Sequence, residues 1–214
     1  MEVITKYLPM DVAHIYPNYL IHPSRSPSIF DKSIPDFWEL LSAFWPSDKI
    51  QRWQSEIFRD PHDLSKPADA CFNLSLSPSI HRMWGSGAFA LRPLDYNNDM
   101  TELEVEWYWQ PTQDHRPDDI VPLTKIPRSS RDLDHIVNRD GSICRLLFEP
   151  APEEYTRMKS GRKLTLKTSD PLRLPLPSKE LLELQWHLSR IVSMSAAAEA
   201  CDEDDGGGSV CWIR

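Results

Sequence analysis

The sequence predicts an α+β protein: a short β region interrupted by a helical insert, then antiparallel strands, then a C-terminal helix. Three observations carry this. Apolar residues recur at helical spacing between Phe37 and Ile57, alternate strictly between Glu102 and Trp109, and return to helical spacing from Leu181 to Val192. With 40% apolar residues and 8 tryptophans among 214, the chain can bury a substantial core. Its 19 prolines against 7 glycines favour irregular connections and edge strands over long helices.

Taken in order, residues 2–6 and 10–16 are β-prone runs that Tyr7-Leu8-Pro9 would join into a hairpin. Residues 17–34 are rich in Pro and Ser and read as loop. Between about 35 and 58, Phe37, Leu40, Leu41, Phe44 and Trp45, then Ile50, Trp53 and Ile57, form two helices separated by Pro46. Phe72 to Leu76 is a short extended run. Ser77 is expected to cap the next helix and Pro78 to open its first turn, with Gly85 ending it. Ala88 to Leu91 reads as a strand. In Glu102-Leu-Glu-Val-Glu-Trp-Tyr-Trp109, Leu103, Val105, Trp107 and Trp109 share the buried face. Ser142 to Phe148 and Arg162 to Thr168 read as further strands. The last helix, about Ser178 to Ala198, should dock through Leu181, Leu184, Leu188 and Ile191. The expected organisation is a single domain over 1–200, comprising a core (1–94) with its insert and an extension (95–200), followed by a disordered acidic tail over 201–214.

The net charge of −8 opposes long-range attraction to a phosphate backbone. Nucleic-acid binding would need a local basic patch, for which Arg82, Arg92 and the stretch from Arg157 to Lys167 are the candidates. Cys71, Cys144, Cys201 and Cys211 show no spacing of a disulfide framework or a zinc knuckle. No secretory signal and no apolar run long enough to span a membrane is visible, so an intracellular location, cytoplasmic or nuclear, is expected.

Three residues in separate segments form a constellation with chemical meaning. His14 closes a strand, where it would be held rigidly enough to take a proton from an attacking water. Asn73 could tether the facing backbone and fix that histidine. His81, on the following helix, could bind a metal that stabilises charge on a scissile phosphate. The segments Ala13-His14-Ile15-Tyr16-Pro17, Asn73-Leu-Ser-Leu-Ser-Pro-Ser-Ile-His81-Arg-Met-Trp84-Gly85 and Phe89-Ala-Leu-Arg-Pro93-Leu94 resemble, in this order, the HNH endonuclease-type proteins of filamentous fungi. Val3-Ile4-Thr5 resembles that group's first strand. The resemblance covers roughly residues 2–110 and implies a ββα-metal (HNH-like) core, with His14 and Asn73 as catalytic residues and a divalent metal (Mg, Mn or Zn) as cofactor. His81 would be a metal ligand, and Asp11, in phase with Ala13 on the strand, a second.

The chain departs from the family in places. Ala13 stands where an acidic or histidine ligand is common, and Trp84 and Gly85 stand where a second helix ligand is common. Glu2 replaces a usual cysteine, and the chain reads as shortened upstream. Three functional readings therefore stand side by side: a metal-dependent nuclease, a non-catalytic module on the same fold that binds protein or nucleic acid, and a small-molecule enzyme using His14 as acid or base without metal.

Overall fold

The computed structural model describes residues 9–16, 37–58, 74–122, 124–150, 155–196 and 209–212. Its elements follow the chain as β1 (Asp11–Ala13), α1 (Phe37–Ser42), α2 (Ser47–Ile57), β2 (Leu74–Leu76), α3 (Pro78–Gly85), β3 (Phe89–Tyr96) and β4 (Glu102–Trp109). They continue as β5 (His135–Val137), β6 (Ile143–Pro150), β7 (Tyr155–Arg157), β8 (Arg162–Lys167), α4 (Lys179–Met194) and β9 (Ser209–Trp212). The chain is thus α+β, with antiparallel sheets and a late helix.

Three sheets divide the strands. β1 and β2 form an antiparallel pair in which Ala13 faces Leu74 and Asp11 faces Leu76. β3, β4 and β8 form an antiparallel sheet in that order. β6 pairs antiparallel with β5 and β7 and parallel with β9. Residues 2–6, and with them the hairpin expected from them, lie outside the described residues. The strand that β1 does pair with comes from far along the chain.

The core sits on the inner face of the β3-β4-β8 sheet. Leu103, Val105, Trp107 and Trp109 are all at most 2% exposed, as the alternation of β4 requires. Phe89 stacks on Trp107 with centroids 3.7 Å apart and meets Trp84 of α3 at 5.5 Å. The stacked pair adds a geometric preference to the area that aromatics bury. Pro46 separates α1 from α2 as expected, because it is the N-cap residue of the second helix.

α4 begins one residue after Ser178, whose hydroxyl accepts the Leu181 N–H at 3.3 Å. Leu181 and Leu184 are 1% exposed and Leu188 packs at the core margin, but Ile191 is 41% exposed. The apolar stripe is therefore wider than the docking surface: α4 lies mainly against β3 and α2, and in its last turns the buried face runs through Ser189 and Ser193 and leaves Ile191 to its side. Ser77 also departs from expectation. It is the N-cap residue of α3 but its side chain makes no capping bond, so Pro78 at the first turn carries the start of that helix.

Two further corrections concern the C-terminal half. Residues 209–212, expected within a structureless tail, form β9 on β6. Cys144, 3% exposed on β6, is disulfide-bonded, and its partner lies outside the residues whose side chains are described. A single long-range bridge depends on the fold rather than on cysteine spacing, so sequence counting misses it.

Candidate functional site

α3 and the β1-β2 pair build the site. Ile80, Met83 and Trp84 of α3 are buried, a spacing of three and four residues that turns one face of the helix to the core. His81 follows Ile80 and lies on the flank, partly exposed. On β1, Asp11 is half-buried, Val12 exposed and Ala13 fully buried. Strand alternation thus puts Asp11 and Ala13 in one phase and turns both toward α3.

The outcome is a contact across 70 residues of sequence: His81 Nδ1 and Asp11 Oδ2 are 3.2 Å apart. Both side chains retain solvent access, 36% and 44%. Without a metal the carboxylate can accept the Nδ1–H and fix the imidazole tautomer; to share a cation with Asp11, Nδ1 would give up that proton and Nε2 would carry the N–H instead.

His14 is half-buried and is tied to α3 through its backbone. Trp84 Nε1–H donates to the His14 carbonyl at 3.0 Å. Trp84 therefore fixes the distance between the end of β1 and the helix that carries His81, a positioning role that only its packing, not its place in the motif, reveals. His14 is the first residue past the end of β1, next to the strand that carries Asp11, and is not itself one of the two partners in the Asp11–His81 contact. Asn73, the third member of the expected constellation, lies outside the described residues, one position before β2.

Donor supply decides what the site can hold. Among the described residues, no group of three or more His, Cys, Asp or Glu side chains converges as a metal would require. The two that do converge fit one edge of a coordination shell. Ligands bonded at ~2.1 Å and at right angles stand roughly 3 Å apart, close to the observed separation. Ala13 is fully buried and contributes nothing polar. Gly85 is exposed, and a Cβ added there would meet nothing within 4 Å.

Two other histidines have defined surroundings. His135 pairs through Nδ1 with its neighbour Asp134, which also takes Arg157 at 3.4 Å. Burial works against ionisation of Asp134, yet the hydrogen bond and charge of His135, with Arg157, hold its carboxyl below the usual range. Both partners are consumed by this knot, which reads as structural. His187 lies between Trp45 and Trp53, with centroids at 5.3 and 6.0 Å, where α4 meets α2. Burial, then the nearby Lys49, pushes its imidazole below the ordinary value.

The expected basic patch is largely neutralised. Arg92 pairs with Glu106 at 2.8 Å, Lys163 with Glu104 at 3.6 Å and Lys167 with Glu102 at 2.6 Å, so the outer face of the β3-β4-β8 sheet carries cross-strand ion pairs. Arg162 takes Glu149 at 2.8 Å and Arg157 takes Asp134. Arg82 has no ion-pair partner among the described residues. Among the same residues, no helix is long and apolar enough to cross a membrane.

No protein-family model matches the chain, and no curated protein or solved structure is significantly similar to it.

Proposed function

We propose that β1, β2 and α3 form an HNH-type ββα-metal core and that the chain is a nuclease-like protein whose phosphodiester-hydrolysing site is thinned to two metal donors, Asp11 and His81. The observation that carries this reading is their 3.2 Å approach, made by a strand and a helix 70 residues apart. The order strand, strand, helix supports it, as does the phase of β1, which puts Asp11 on the side of Ala13, the family's ligand position.

In this reading Asp11 and His81 would hold a divalent cation through Oδ2 and Nδ1. Such a cation would stabilise negative charge on the scissile phosphate and the leaving oxygen. His14 serves as general base and takes the proton of the attacking water, and Asn73 fixes the end of β1 against β2. Trp84 keeps His14 at a constant distance from α3.

Activity is weak for two reasons. Two protein donors hold a divalent ion loosely, and the carboxylates of the sheet have already taken the arginines and lysines that would grip a phosphate backbone. The second point favours a further reading, in which the same fold turns over a small molecule with His14 as acid or base, or binds a protein partner.

Metal affinity separates these readings without relying on turnover. Mn²⁺ binding to the purified chain should be measurable and should fall at least tenfold in His81→Ala and in Asp11→Ala. Gly85→His, which places an imidazole one turn beyond His81 on the same helix face in open space, should tighten it. Chelator-sensitive nicking of plasmid DNA should then rise from a low level and vanish in His14→Ala. Mn²⁺ affinity indifferent to all three substitutions would remove the metal site. The nuclease reading would go with it.

A further inference from the structure

β8 ends the β3-β4-β8 sheet, and the two edges of that sheet are treated differently. α4 lies along β3. Nothing among the described residues pairs with the outer side of β8. The register shows which backbone groups this leaves free. Thr168 N–H donates to the Thr101 carbonyl at 2.9 Å, and Leu103 stands opposite Leu166 and Val105 opposite Leu164. In an antiparallel ladder hydrogen-bonded residues alternate. Leu164, Leu166 and Thr168 therefore turn their N–H and C=O groups to β4, and Lys163, Thr165 and Lys167 turn theirs outward.

Where this edge ends it borders a cleft of about 500 Å³. It is lined by Leu166 to Ser169, by β2 residues Leu74 and Ser75, and by the segment from Arg173 to Pro177. Among the described residues the lining contains two cations, Lys167 and Arg173, and no carboxylate. Lys167 is already paired with Glu102, but the Arg173 guanidinium and the hydroxyls of Ser75 and Ser169 have no hydrogen-bond partner among the described residues. Leu74, Leu166, Leu174 and Leu176 give the same cleft apolar sockets.

We propose that this cleft and the open edge of β8 form a docking site for an extended, acidic segment of a partner protein, added as a further strand beside β8. Outward backbone groups at every second residue would supply main-chain hydrogen bonds. The leucine sockets would receive alternate side chains, and Arg173 a carboxylate. Charge argues against a second copy of the chain as the occupant. β8 laid antiparallel on itself would set Arg162, Lys163 and Lys167 of one copy against those of another, which costs energy at directly opposed positions. The proposal does not depend on the phosphodiester chemistry of Asp11 and His81.

The test is fluorescence anisotropy of the full chain with a labelled, capped pentapeptide of alternating valine and glutamate. Saturable binding is expected. N-methylation of alternate peptide amides should weaken it at least about tenfold, the loss expected for two or so main-chain hydrogen bonds. Thr165→Pro should do the same with little change in melting temperature, because the N–H it removes points away from β4. Arg173→Ala, and replacement of the peptide glutamates by glutamine, should each weaken binding severalfold. Absence of saturable binding, or affinity unchanged by N-methylation, would overturn strand addition. Affinity unchanged by both the glutamine peptide and Arg173→Ala would overturn the acidic specificity.

Discussion

Truncating Leu184 and Ile191 to alanine separately tests which part of α4 holds the helix to the rest of the chain. Both belong to one apolar stripe in the sequence, but Leu184 is 1% exposed and Ile191 41% exposed. Loss of a fully buried leucine removes its transfer energy and leaves a cavity, together about 3 kcal/mol within a range of roughly 2–5. Ile191 already meets water over much of its surface, and alanine is the better helix former, so its truncation should cost under about 1 kcal/mol. For a chain of this size each kcal/mol moves the melting temperature by roughly 2–4 °C. Leu184→Ala should therefore melt about 6–12 °C below the parent and Ile191→Ala within about 4 °C of it. Urea unfolding followed by tryptophan fluorescence gives the same ranking in free energy. Equal losses in the two variants would refute the docking of α4 through the face that holds Leu184 and leaves Ile191 exposed, and so would a negligible loss in Leu184→Ala.

Two further outcomes follow from local geometry. Ser178→Ala should destabilise the chain by about 1 kcal/mol, because the serine hydroxyl accepts the Leu181 N–H, whereas Ser77→Ala should have little effect since its side chain makes no capping bond. Chemical denaturation of the two variants in parallel decides this, and equal losses would contradict it. The imidazole of His187 has a lower pKa folded than unfolded, so below the ordinary value of 6.5 the unfolded chain binds more protons than the folded one. Stability should be complete above that value and decline as the pH falls through it toward the depressed folded pKa. His187→Phe should flatten this part of the melting-temperature profile, and an unchanged slope in the variant would exclude His187 as its source.

The elements legible in the sequence are those whose own side chains decide their structure. β4 alternates apolar and polar residues over its whole length, Pro46 interrupts a helical period, and Ser178 with Glu180 opens an apolar run. β5, β7 and β9 have three or four residues each, too few for a period to register, and each exists because β6 offers it an edge. The pairing of β1 with β2 is equally invisible to local reading, since the hairpin-like run around Tyr7 suggests a nearer partner. At the site, the convergence of Asp11 with His81 followed from strand phase, because Asp11 lies two residues before Ala13. The tie between Trp84 and the His14 carbonyl could not be read that way, since an indole in a helix suggests packing alone. Local spacing also could not show that the cations of β8 meet carboxylates on the neighbouring strand, which depends on register.

The parallel pairing of β9 with β6 gives the molecule an order in time. Residues 209–212 leave the ribosome after every other described element, so β6 must wait with one side open while the strands on its other side close first. Contacts between parts so distant in sequence slow folding and prolong the interval in which an unpaired strand can meet another chain. A nascent chain that stalls, or is clipped, between residues 197 and 208 would carry the whole core and the candidate site, yet present β6 as an adhesive edge. Production of the protein is therefore expected to depend more on intact translation of residues 209–212 than on the stability of its core. A bulky fusion placed directly after Arg214 would act on that final strand, two residues from its end.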